Sequence, residues 1–140
     1  MRVVTRSEED TAAAARRLAG QLKPGAFLAL TGDLGAGKTA FTRGLAAGLG
    51  VRRDILSPTF TILRQYTDGR LPLYHFDVYR IGSEDELEDT GFFDAAHADG
   101  ITVCEWADLI EEAIPEERID VHITAQDDGS RVIEIAGLER

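Results

Sequence analysis

The sequence is short of cysteine, of positive charge and of long apolar runs, and each shortage excludes something. A single cysteine, Cys104, cannot close an internal disulfide and fits a reducing compartment. Fifteen basic residues against 25 acidic ones leave a formal charge of -10. So few lysines and arginines argue against gripping a polyphosphate backbone alone, although a partner can hold nucleic acid alongside. The longest apolar stretch, Ala26 to Leu30, is far too short to cross a bilayer, and MRVVTRSEED lacks the apolar core of a secretion signal. Asparagine is absent altogether. What remains is ordinary for a globular chain: 140 residues, 44% hydrophobic, the size of one domain over 1–140. No internal repeat, linker or low-complexity tail is visible. The composition predicts a small, acidic, cytoplasmic, single-domain protein.

Local patterns predict the elements. Ser7 followed by Glu8, Glu9 and Asp10 reads as a helix N-cap with acids in the first turn, and Pro24-Gly25 stops a helix running to about Leu22. Phe27 to Thr31 is a short apolar run bounded by glycine, as in a strand covered on both faces. A helix is expected from about Lys38 to Leu49. Thr59 to Tyr66 and Leu71 to Tyr79 alternate in polarity around Asp68-Gly69, which predicts a hairpin. Pro72 puts a gap in the donors of its second strand and points to an edge or a bulge. Ser83 to Asp89, rich in acids, reads as a solvated helix face. Ile101 to Cys104 reads as a buried strand, Ala107 to Ile114 as a helix ended by Pro115, and Ile119–Thr124 with Arg131–Ile135 as two strands around Asp127-Asp128-Gly129. Early strand–helix units and later hairpins predict an α/β fold, a mixed parallel/antiparallel central sheet flanked by helices.

Gly32-Asp33-Leu34-Gly35-Ala36-Gly37-Lys38-Thr39 matches G-x-x-x-x-G-K-[ST] between a predicted strand and a predicted helix. Glycines let consecutive N–H groups turn inward to phosphate oxygens, and the helix N-terminus adds positive partial charge. Lys38 would reach the β- and γ-phosphates and the Thr39 hydroxyl would ligate Mg²⁺. Gly35-Ala36-Gly37-x-x-Ala40 also fits the looser dinucleotide fingerprint, but that reading leaves Lys38-Thr39 unexplained. Guanine is normally read by Asn-Lys-x-Asp; with no asparagine, ATP is the default nucleotide.

A P-loop protein needs a second carboxylate at a neighbouring strand end. Glu105, closing Ile101–Cys104, and Asp77, in His75-Phe76-Asp77, are the two candidates. Ser57-Pro58-Thr59 stands where a loop sensing the γ-phosphate is often placed. Trp106 can stack on a base or a partner, or fill core. His75, His97 and His122 lack the close spacing of a metal site, His122 reading as structural, and Cys104 reads as inert core. No arginine finger is marked: Arg64 and Arg80 are candidates in cis, or a partner could supply one, which predicts slow hydrolysis by the chain in isolation.

Together GDLGAGKT at Gly32–Thr39, SPTFT at Ser57–Thr61, YHFDVYR at Tyr74–Arg80 and Glu105-Trp106 resemble the TsaE (YjeE) family, as does the opening Ser7–Thr11. The resemblance covers about Ser7 to Ile114. It implies a single P-loop NTPase-like domain that binds and slowly hydrolyses ATP with Mg²⁺ in the cytoplasm. Such a protein supports the TsaB–TsaD pair, TsaD especially, in forming threonylcarbamoyladenosine at adenosine 37 of tRNAs reading ANN codons, and meets tRNA only through that partner. Residue by residue it implies phosphate binding by Asp33, Leu34, Gly35, Ala36, Gly37, Lys38, Thr39 and Ala40, and Mg²⁺ on Thr39 and Glu105. Lys38, Asp77 and Glu105 carry catalysis, with Thr11 at the base end of the nucleotide and Arg131, in Gly129-Ser130-Arg131, reaching it too. Ala107-Asp108 departs from the proline that many members carry after Glu-Trp. Two other functions compete: a small-molecule P-loop kinase, for whose lid the residues after Glu105 leave little room, and an ATP-sensing module that never hydrolyses.

Overall fold

A computed structural model describes residues 1–32, 37–52, 63–79, 85, 99–110 and 112–138. They form strands β1 (Arg2–Thr5), β2 (Phe27–Gly32), β3 (Leu63–Tyr66), β4 (Leu73–Asp77), β5 (Ile101–Glu105), β6 (Ile119–Ala125) and β7 (Arg131–Ala136), with helices α1 (Glu8–Ala19) and α2 (Lys38–Gly48). The strands make one sheet in the order β1-β7-β6-β2-β5-β4-β3. Its centre, β6-β2-β5-β4, is parallel, and β1 with β7, β7 with β6 and β3 with β4 are antiparallel. The mixed α/β sheet expected from the sequence is therefore present.

Alternation sorts the core. Leu28, Leu30, Ile101, Val103, Val121, Ile123 and Ile133 face α1 and α2 and pack with Leu18, Phe41 and Leu45. Phe27, Ala29, Tyr74, Phe76 and Cys104 face the other way, towards Ala107 and Ile114. Strand β5 is buried throughout, as its unbroken apolar run requires. Ser7 caps α1 as expected, its hydroxyl accepting the Asp10 N–H at 3.0 Å.

Four details differ from expectation. The structure adds β1, which borders β7 and whose four residues carry too little pattern to announce a strand. Helix α1 ends at Ala19, before Leu22, with Gly20 as its cap. Pro72 lies ahead of β4, itself an inner strand, so the missing donor falls outside the ladder; the Pro72 carbonyl accepts the Ile101 N–H at 2.8 Å. The helix expected over Ala107–Ile114 is instead a 3-10 helix over Ala107–Ile110 followed by turns. Ala107, Ile110 and Ala113 all pack on the second core face, and their spacing of three suits the tighter 3-10 turn, which overrides α propensity. The predicted hairpin is present in β3–β4; its first residues, 59–62, lie outside the described residues, as do 83–89 apart from exposed Asp85.

Candidate functional site at the carboxyl edge of the sheet

Parallel pairing brings the carboxyl ends of β2, β4, β5 and β6 to one edge, where β2 has β5 on one side and β6, reached by crossing back over the sheet, on the other. Such an edge is where open α/β sheets bind ligands. Helix α2 opens there. Its N-cap is Gly37, held at φ 105°, and among the described residues no side chain caps it. A Cβ on Gly37 would find Arg131 Nε at 3.8 Å and Thr11 Cγ2 at 4.0 Å, so Thr11 and Arg131 both stand beside this turn. Thr11 is buried, its hydroxyl 2.6 Å from that of Thr5, and the Arg131 guanidinium donates to the Gly129 carbonyl at 2.9 Å.

Lys38 is almost entirely buried, yet its chain ends against polar and π density: Nζ donates to the Gly32 carbonyl at 2.8 Å and lies 3.5 Å from the centre of the Trp106 ring. This is a cation–π contact. Trp106 takes a left-handed φ of 63°, and its ring also meets Tyr79, with centroids 4.8 Å apart. Thr39 is exposed and Ala40 buried. Asp33, Leu34, Gly35 and Ala36 lie outside the described residues, together with Ser57–Thr61, Arg80 and His97.

The two carboxylates come together. Asp77 and Glu105 are register partners in β4 and β5, so both side chains leave the sheet on the face that carries α2. Asp77 is partly buried and accepts the Tyr79 N–H at 3.0 Å. Burial holds its pKa above the ordinary carboxylate range; Glu105 pushes it the same way, while the Tyr79 N–H, His75 and Lys38 pull back. Glu105 is buried, its Oε2 hydrogen-bonded to His75 Nε2.

His75 is what sequence reasoning missed. The spacing of the histidines from one another is uninformative; the informative interval is from His75 to Asp77, since residues two apart on a strand share a face. Cys104 fits its reading as core, being buried with its thiol pKa pushed up by burial. The exposed His122 meets Thr31 Oγ1 through Nδ1 at 2.7 Å.

The residues fit a magnesium nucleotide. An uncapped helix start beside a buried lysine suits phosphate oxygens. Among the described residues no three His, Cys, Asp or Glu side chains converge as a metal cluster. A cation here would rest on one or two carboxylates, a hydroxyl, phosphate oxygens and water, the donor set that suits Mg²⁺.

Fold and site together define a class: an α/β protein of mixed sheet whose polar residues gather at the carboxyl edge, around a helix that follows the central strand. Within it the chain belongs to the TsaE family. The family model described as threonylcarbamoyl adenosine biosynthesis protein TsaE matches residues 5–133. The chain is 52% identical over 129 residues to the tRNA threonylcarbamoyladenosine biosynthesis protein TsaE of Bacillus subtilis (strain 168), covering 92% of this chain and 80% of that protein. With the TsaE of Treponema pallidum (strain Nichols) it shares 41% identity over 136 residues, 97% of this chain and 100% of the relative. A crystal structure of YdiB from Bacillus subtilis superposes with a TM-score of 0.80 at 44% identity, covering 95% of this chain and 82% of that one.

Proposed function

We propose that this chain takes part in tRNA threonylcarbamoyladenosine biosynthesis as a cytoplasmic P-loop ATPase. It binds and slowly hydrolyses ATP in support of a TsaB–TsaD transferase, with TsaD the principal contact and tRNA held by the partner. The observation that carries the reading is the meeting, at one sheet edge, of Lys38 at the start of α2 with the paired carboxylates Asp77 and Glu105. The names of the relatives supply the pathway.

In this reading the Gly32–Thr39 motif binds phosphate, the first turn of α2 presenting its backbone N–H groups, and Lys38 exchanges the Gly32 carbonyl for phosphate oxygens. Thr39 and Glu105 would hold Mg²⁺, which would neutralise phosphate charge. Thr11 and Arg131 flank the nucleotide. Asp77 or Glu105 orients the water whose oxygen attacks the γ-phosphorus as the bond to the β–γ bridging oxygen breaks, releasing ADP and phosphate. Hydrolysis is slow in isolation because Lys38 is held against Trp106 and Gly32, and the partner surface supplies what is missing.

ATP turnover by the purified chain, alone and with TsaB–TsaD in the same Mg²⁺ buffer, tests the proposal. Low turnover alone with clear stimulation by the pair is the expected result. ATP consumed only when a small acceptor is present would make the protein a kinase. Tight ATP binding with no turnover under either condition would make it a sensor.

A further inference from the structure

The structure assigns His75 to the site as the positioning residue of Glu105, an inference that rests on the proposed nucleotide site. His75 is 0% exposed, in the middle of β4. Its Nε2 meets Glu105 Oε2 across the β4–β5 boundary, one pleat before the Asp77–Glu105 pair. The register explains the reach: His75 stands opposite Val103, so its ring must lean along the strand towards the carboxyl edge to touch Glu105.

On the other side of the ring no described residue offers a hydrogen bond. Nδ1 of His75 and Nε of Arg64, its register partner on β3, are the buried side-chain polar atoms without a hydrogen bond among the described residues. Among the described residues the buried imidazole has one polar contact, that with Glu105, while Leu73, two residues earlier on the same face, is purely apolar core. The bare nitrogen also selects the tautomer. With the proton on Nε2 the ring donates to a carboxylate and leaves an unpaired lone pair, whereas a proton on Nδ1 would bury an unmet donor and face two acceptors together. His75 thus fixes Oε2 of Glu105 and leaves Oε1 as the oxygen offered to the edge. Carboxylates at metal sites are commonly held from behind in this way.

The test uses the full chain with three substitutions: H75Q, which keeps an amide donor near the place of Nε2, H75N, whose amide is too short to reach it, and H75L, which has no donor. Melting temperature reports the fold. The only tryptophan, Trp106, reports nucleotide binding as Mg²⁺ is titrated. Long-range ¹H–¹⁵N spectra of the nucleotide-free protein report the tautomer, the three histidines being assigned by their loss on mutation. We expect an Nε2–H tautomer, and for H75N and H75L a Mg²⁺ midpoint and a partner-stimulated turnover poorer by on the order of 10- to 100-fold. H75Q should recover most of both, and ATP binding without Mg²⁺ should be unchanged throughout. An Nδ1–H tautomer overturns the assignment, as does wild-type Mg²⁺ dependence in a folded H75N. So does equal loss in all three variants in step with their melting temperatures. Should the unmutated chain bind no ATP, the proposed function itself fails and the inference with it; an active wild type with an indifferent H75N removes the inference alone.

Discussion

Lys38 combines requirements that rarely coincide in one side chain: near-complete burial, a carbonyl at 2.8 Å and an indole face at 3.5 Å. Holding an ammonium there is worthwhile if its charge is needed for an incoming anion, and thermal stability can read this directly. A ligand that binds only the folded state stabilises it by about 2.7 kcal/mol at one hundred times its dissociation constant. MgATP should therefore raise the melting temperature of the wild type by several degrees, and Lys38→Ala should lose nearly all of that rise; a full shift in the variant would rule Lys38 out as the phosphate ligand. Asp77 makes a prediction with a sign. Its folded-state pKa is raised, chiefly by burial, so over the window from the ordinary carboxylate range up to the folded value the folded protein binds more protons than the unfolded chain. Stability then falls as pH rises through that window. Asn cannot ionise and keeps the oxygen that accepts from Tyr79, so Asp77→Asn should gain stability on the wild type between acid and neutral pH while losing turnover on the order of 10²-fold or more. Parallel thermal melts from pH 4 to 8 decide it: a variant that loses ground as pH rises contradicts the assignment. Lys38, Asp77 and Glu105 stand out as candidates because motif and strand-end position mark them, and the structure brings them to one edge of the sheet. His75 does not stand out, because its meaning depends on a cross-strand neighbour far away in sequence.

Helix α1 packs closely on α2, and a small residue permits it. A Cβ on Gly44 would lie 2.0 Å from the Ala12 carbonyl oxygen and 2.6 Å from its Cα, backbone atoms that cannot swing aside. Gly44→Ala must push α2 off α1, which also carries Thr11, so we expect a loss of about 3 kcal/mol, roughly 10 °C in melting temperature, and weaker ATP binding. A variant as stable as the wild type would mean that the helices are free to part. By contrast Ser7→Ala removes one cap hydrogen bond on an exposed first turn and should cost about 1 kcal/mol in urea denaturation with ATP affinity kept. These elements show what local pattern can and cannot carry. The strand before the P-loop motif, the helix after it and the β3–β4 hairpin were readable because each is specified within a dozen residues. Strand order was not: β2 lies between β5 and β6, pairings that local periodicity does not encode. The segment after Trp106 misled because its composition favours an α-helix while its contacts with the sheet favour three residues per turn.

Over the whole molecule the dominant quantity is charge. A protein that neutralises phosphates releases counterions, and its affinity for nucleic acid falls steeply with salt, with a slope of about -0.9 per phosphate contacted on duplex DNA. At -10 overall, the net field of this chain repels a polyphosphate backbone, and the lysine most suited to phosphate is buried at the sheet edge. We therefore expect the isolated chain to show no saturable tRNA binding at physiological salt, weaker than the roughly 10⁻⁴ M limit of ordinary non-specific binding. In contrast, association with the proposed TsaB–TsaD partner should survive moderate salt if apolar contacts contribute, and exposed Tyr79 and Leu109 are available beside the site. Filter binding with bulk tRNA between 50 and 200 mM salt separates the cases. Saturable micromolar retention with a steep salt slope would mean that this protein meets tRNA directly, and the division of labour in the proposed function would have to be redrawn. Retention that arises only when TsaB–TsaD is added, with a salt slope belonging to the pair, places the nucleic-acid contact on the partner and leaves the acidic chain as its nucleotide-driven component.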